Sequence, residues 1–270
     1  MRAFLQETAG AEPTSDDWIY VHNFEQVDRP KALHVPAGRG RELAADMEAF
    51  VRQARQQISH AFETERYSER RHQLASEIAQ RRDPILEELS KFAGARGMTV
   101  EATPAGLITV PVHAGHPMTP EKLQQIPDKD RPDLERRSIE VQAEVAKTFR
   151  HLSQLEREGA ELLIKLDREI ARFAIEPLLH GLREKYTQQP DVVSHLEQIA
   201  EDIPNHLPDF RQAGPEGGAE PTSPLEAALA TDHTNRYRVN VIVDNSGLGG
   251  APVALETNPT YYNLMGRVEY

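Results

Sequence analysis

Cysteine is absent from the 270 residues, which excludes disulfides and thiolate chemistry. Aromatic residues are few, at 6%, and tryptophan occurs once. Basic residues are in deficit: 31 Lys and Arg against 43 Asp and Glu give a formal net charge of -12. Phosphate backbones need a concentrated basic face, so nucleic acid is not an expected partner. No run of about 18 apolar residues occurs, so no segment reads as a membrane-spanning helix. Met1 to Gly10 is too short and too polar for a secretory signal. The reading is of a soluble, cytoplasmic chain with no membrane partner.

Catalytic signatures are missing as well. No Gly-Lys-Ser/Thr occurs, so Gly38-Arg39-Gly40 reads as a turn before a helix and not as a phosphate loop. None of the ten Ser residues has Lys three positions on, and Gly-x-Ser-x-Gly is absent. His113 and His116 have no third or fourth ligand at sensible spacing. Val241-Ile242-Val243-Asp244 imitates a strand that presents a magnesium-binding acid, but Asn245 stands where a second acid is usual. Glu87-Glu88 reads as a solvated helix face. The expectation is therefore no catalytic residue, no cofactor-binding residue and no metal ligand in this chain. One candidate remains: Tyr261-Tyr262, after Asn258-Pro259-Thr260, could hold an extended polypeptide by stacking and apolar contact.

What is abundant is helix. Leu134, Ser138, Val141, Val145, Thr148, Leu152, Leu155, Gly159, Leu162, Leu166, Glu169 and Phe173 form a 4-3 stripe among Glu, Arg, Gln and Lys. That is a heptad seam. Some forty residues make a rod about 60 Å long, continuing to Tyr186 with a kink at Pro177. A second stripe starts at Arg41: Met47, Phe50, Ala54, Ile58 and Phe62, then Leu74, Ile78, Ile85, Leu89 and Phe92. Pro84 should kink or restart that helix. The predicted assembly is an antiparallel helical hairpin with arms Arg41–Ala93 and Pro132–Tyr186. A β-hairpin over 98–112 and a short helix from Thr119 to Ile126 cap its turn. Val192, Leu196, Ile199 and Ile203 add one more helix.

Sheet material lies at the two ends. Arg2 to Ala9 reads as the tail of a helix. Trp18 to Phe24 reads as a strand with no convincing neighbour nearby, and Arg29-Pro30 and Val35 to Arg41 as loop. Tyr237 to Asp244 and Pro252 to Glu256 read as two further strands. Residues 212–235, rich in Gly, Pro and Glu, read as a flexible linker. The organisation expected is a first piece of an α/β domain at 1–40, a helical insertion at 41–211, the linker, and return strands at 236–270. The fold class is mainly α, with a long helical hairpin inserted into an incomplete α/β domain that looks cut at Tyr270.

Asp17-Trp18-Ile19-Tyr20-Val21-His22-Asn23-Phe24, Arg29-Pro30-Lys31-Ala32-Leu33, Pro36-Ala37-Gly38-Arg39-Gly40 and Ala61 to Tyr67 resemble a section of the Lon-related AAA+ ATP-dependent proteases. So do Arg236 to Asn245, Gly250 to Val253 and, most closely, Glu256 to Tyr270. The resemblance implies an AAA+-like domain, a hexamer, ATP and magnesium in the parent, unfolded protein as substrate and a Ser–Lys protease domain. It implies that this chain spans the region between the two nucleotide motifs and is inactive alone. It places no nucleotide-binding or catalytic residue here. The alternative reading is a non-catalytic coiled-coil scaffold or adaptor.

Overall fold

The computed structural model describes residues 2–103, 106–113, 116–118, 127, 129–211, 233–253 and 255–266. In chain order these contain α1 (Arg2–Ala11), β1 (Asp17–Val21), β2 (Lys31–Val35), α2 (Arg39–Glu63) and α3 (Glu65–Gly94). Next come β3 (Met98–Thr103), β4 (Gly106–His113), β5 (His116–Pro117) and α4 (Arg131–Lys185). Then follow α5 (Pro190–Asp202), α6 (Leu207–Arg211), β6 (Asn240–Val243) and α7 (Tyr261–Met265). Single 3-10 turns lie at Ile203–Asn205 and His233–Tyr237. The chain divides into two compact units, Met1–Ala61 with Ile170–Tyr270, and Phe62–Glu169.

The first unit holds a three-stranded antiparallel sheet in the order β2-β1-β6. Strands near residues 18 and 240, more than two hundred positions apart, thus share one sheet. Alternation explains β1: Asp17, Ile19 and Val21 are buried while Trp18 and Tyr20 face solvent. Its nearest partner is local, contrary to the expectation from sequence. Lys31-Ala32-Leu33-His34-Val35, of which the sequence reading assigns only Val35, to loop, pairs with β1 from Asp17↔Val35 to Val21↔Lys31 and buries Leu33 and Val35. Between Trp18 and Ile19 the β1–β6 register slips by one residue. Ile242 and Val243 consequently are both exposed, at the outer side of an edge strand.

Helices supply the rest of this core. Met47, Phe50, Ala54 and Ile58 are buried along α2, as the periodicity predicts, Leu43 joins them, and Phe62 is half-buried. Ile175 and Leu179 near the end of α4 and Tyr186 just after it are buried, as are Val192, Leu196 and Ile199 along α5. Each large aliphatic side chain fully removed from water stabilises the fold by roughly 1.5–3 kcal/mol. Lys185 Nζ sits 2.6 Å from Asp46 and 2.8 Å from Glu42, and the Tyr186 hydroxyl donates to Asp46 at 2.7 Å. Burial and the Asp46 carboxylate together push the Tyr186 phenol above its usual pKa.

The second unit is the helical pair. α3 runs antiparallel to the first part of α4. Tyr67 donates to Asp167 at 2.8 Å, Arg81 pairs with Glu158 at 2.8 Å, and Arg96 pairs with Glu140 at 2.9 Å. Ala93, Met98 and Val141 form a buried cluster with Phe92, Val100, Leu134 and Val145 around it. The β-hairpin is present, with β3 and β4 paired from Met98↔Pro111 to Thr103↔Gly106. The short helix expected from Thr119 to Ile126 lies outside the described residues. So does the turn at 104–105.

Several boundaries differ from the reading of the sequence. The first arm is two helices, because Thr64 leaves helical geometry and its Oγ1 accepts the Tyr67 N–H at 3.4 Å as an N-cap. Pro84 does not restart the helix, since α3 continues through it, and α4 runs through Pro177 to Lys185 as expected; both rings are exposed, where carbonyls freed by a proline can bind water. Along the heptad stripe Val141, Thr148, Leu155, Gly159 and Leu166 are buried. Leu162, 40% exposed, and Phe173, 76% exposed, depart from it. A straight helix drifts about 20° per heptad, so a strict seven-residue stripe does not stay on one buried face without supercoiling.

Among the described residues there is no AAA+-type α/β core. Both sheets are small, three-stranded and antiparallel. Such a core needs parallel strands joined by crossover helices, and none of these pairs is parallel. The strand expected at Pro252–Glu256 is not formed: residues 252, 253, 255 and 256 have no strand partner, and Pro252 has no N–H to give one. Residues 212–232 of the expected linker lie outside the described residues, and residues 233–235 already belong to the 3-10 turn.

α1 is exposed along most of its length and is anchored at its end, where the Ala251 N–H donates to the Ala9 carbonyl at 2.8 Å. A Cβ on Gly250 would lie 2.3 Å from that oxygen. Gly250→Ala is therefore expected to detach α1. Amide exchange over residues 2–11 should rise at least ten-fold with the global unfolding midpoint little changed, and unaltered protection of α1 would refute it.

Candidate functional site

The region around β1 is built on one carboxylate. Asp17 is fully buried at the start of β1. Its Oδ2 accepts the Gly40 N–H at 3.0 Å and its Oδ1 accepts the Asn245 N–H at 2.7 Å. It thus ties the first turn of α2 to the residue group that follows β6. Helix N-termini carry unpaired N–H groups and a positive dipole end, so a carboxylate is the side chain that belongs there. Gly40 allows the approach, since a Cβ there would meet Asp17 and Ile19 at 3.1–3.2 Å. Gly38, with φ of 83°, makes the turn. Asn245 donates from Nδ2 to the carbonyls of Ser15 (3.1 Å) and Asp16 (2.9 Å). Gly38-Arg39-Gly40 is thus the opening turn of a helix, as its residues suggest.

Asp244, the acid that imitates a magnesium ligand, is engaged at the strand end. It pairs with Arg41, and Asp244 Oδ1 accepts the Ser246 N–H at 3.0 Å. The hydrogen bonds from Ser246, and then Arg41, lower its pKa. Glu87 is solvent-exposed and pairs with Lys91 at 2.7 Å, one helical turn on. His113 and His116 are exposed cross-strand partners on β4 and β5. Among the described residues no group of three or more His, Cys, Asp or Glu could hold a metal ion.

Tyr261 and Tyr262 open α7, a single helical turn. Thr260 is its N-cap, accepting the Asn263 N–H at 3.2 Å, and Asn263 Nδ2 donates to the Asn258 carbonyl at 2.8 Å. Gly266, at φ of 80°, closes the turn, its N–H donating to the Tyr262 carbonyl at 3.0 Å. The local sequence therefore shapes the turn by itself. Its side chains bury nothing: Tyr261 is 73% exposed, Tyr262 64%, and Leu264 and Met265 are exposed beside them. The two rings meet edge to face, centroids 5.9 Å apart at 84°. The turn offers aromatic and apolar contact and no acid–base chemistry.

Sequence reasoning missed β2 and the Asp17 clamp. The alternation Lys-Ala-Leu-His-Val carried a signal for the first; nothing local signalled the second, whose partners are 23 and 228 residues away.

Residues 17–50 match the family described as the Lon-like LonC helical domain. The match covers β1, β2 and the first half of α2, the segment that Asp17 organises. No curated protein matches the chain.

Proposed function

We propose that this chain works as part of a Lon-like ATP-dependent serine protease that degrades unfolded proteins. Residues 17–50 carry the reading, because their match to a Lon-like domain coincides with a built structural unit, the β1–β2 hairpin and its capped helix. In this reading ATP, magnesium, the Ser–Lys dyad and a hexameric ring belong to the parent assembly. The paired helices α3 and α4 serve substrate admission or ring contacts. The exposed turn Tyr261–Met265 touches extended polypeptide.

The test is binding of a reduced, alkylated protein that cannot refold, followed by fluorescence anisotropy. Each exposed aromatic contact is worth about 0.5–1.5 kcal/mol, so replacing both Tyr261 and Tyr262 with Ala should weaken binding about ten-fold. Equal affinity of the variant, or no binding by the unaltered chain, would remove the role given to this turn. A second reading, a non-catalytic scaffold, draws on the antiparallel pair α3–α4. ATP-dependent proteolysis by the assembled parent would decide against it.

A further inference from the structure

Phe24, three residues beyond β1, is the hub of an aromatic column. His22 meets it edge-on at 4.9 Å, His195 of α5 lies 5.6 Å away, and Tyr237 lies 6.4 Å away and continues to Phe210 at 5.5 Å. These residues come from α5, α6, the 3-10 turn at His233–Tyr237 and the segment after β1, all in the first unit. His195 is 2% exposed, and neither ring nitrogen has a hydrogen-bond partner among the described residues. A neutral imidazole tolerates that placement; an imidazolium does not.

The charged neighbours offer no relief. Lys31 of β2 and His22 both oppose a proton on His195. Arg236, from the 3-10 turn, opposes one on His22. Glu197, Glu201 and Asp202 of α5 line one pocket with Phe24, yet none of them bonds His195; Glu201 pairs with Arg172 at 3.0 Å, and Asp202, which favours a proton on His22, is committed. It accepts the Tyr237 hydroxyl at 2.7 Å and lies 3.2 Å from His206 and 3.6 Å from Arg236.

We infer that His195 is an acid-sensitive latch, whose protonation frees α5 from Phe24 and the chain that extends β1. Burial holds the folded pKa at about 4, against 6.5 in water. The sign follows from the depressed value. Between pH 6.5 and 4 the open form binds the extra proton, so closure is fully favoured above pH 6.5 and weakens as pH falls. At pH 5 the opening constant should rise about thirty-fold relative to pH 8.

The experiment is hydrogen exchange on the full chain at pH 8 and pH 5, corrected for intrinsic rate, reading peptides over 190–202. The expected result is a selective loss of protection at pH 5 in the unaltered chain and none in His195→Phe, which keeps an aromatic ring without titrating. Equal protection at both pH values, or the same acid loss in His195→Phe, would overturn the latch. Should that variant not fold, a titration of His195 in the unaltered chain by NMR serves: a pKa at or above 6.5 overturns it as well.

Discussion

Replacing Asp17 with Ala is expected to destabilise the first unit by about 3–4 kcal/mol. The side chain satisfies two backbone N–H groups in a site with no access to water, at Gly40 and Asn245. A buried donor left unpaired costs about 1–3 kcal/mol. The lost interaction with the α2 N-terminus adds about 0.5–1 kcal/mol. Asp17→Asn keeps one acceptor and presents an NH2 where the other donor points, so a loss of about half that size is expected. Urea unfolding measures the total, and amide exchange at Gly40 and Asn245 locates it. A loss under about 1 kcal/mol for Asp17→Ala would mean that the clamp does not hold these segments together.

Leu155→Asp should cost the helical pair about as much. Leu155 is 3% exposed in the regular part of the seam. The variant loses roughly 1.5–3 kcal/mol of apolar burial and forces a carboxylate either to stay neutral or to open the pair. Phe173→Asp is the counterpart. The heptad stripe puts Phe173 in the same seam, whereas the structure leaves it 76% exposed. A surface change of that kind should stay within about 0.5 kcal/mol. Equal losses for the two variants would restore the unbroken heptad. Thermal melting of both proteins under one condition decides between them.

Local, periodic features were legible in the sequence; features that depend on distant partners were not. Met47, Phe50, Ala54 and Ile58 announced the buried face of α2, and Thr99 and Val110 announced a hairpin, because each signal repeats within a few residues. The stripe at Leu162 and Phe173 misled because seven residues fall short of two full helical turns, so an unbent helix drifts away from a strict heptad. β2 was hidden by its brevity: five residues with Lys and His at exposed or half-exposed positions look like loop until a partner is known. Of the candidate site, Tyr261 and Tyr262 were visible as exposed-type aromatics after Asn-Pro-Thr. Asp17 read as one acid among many, since its role exists only once residues 40 and 245 converge on it.

The slipped register beside Trp18 has a protective side. A sheet border of valine and isoleucine is an invitation to stray chains, which lengthen it by docking a strand along evenly spaced amides. Where β6 carries its extra residue that even spacing is interrupted, and a flat newcomer finds a bent template. The same displaced residue that leaves Ile242 and Val243 in water therefore guards the molecule against fibril-like growth from that border.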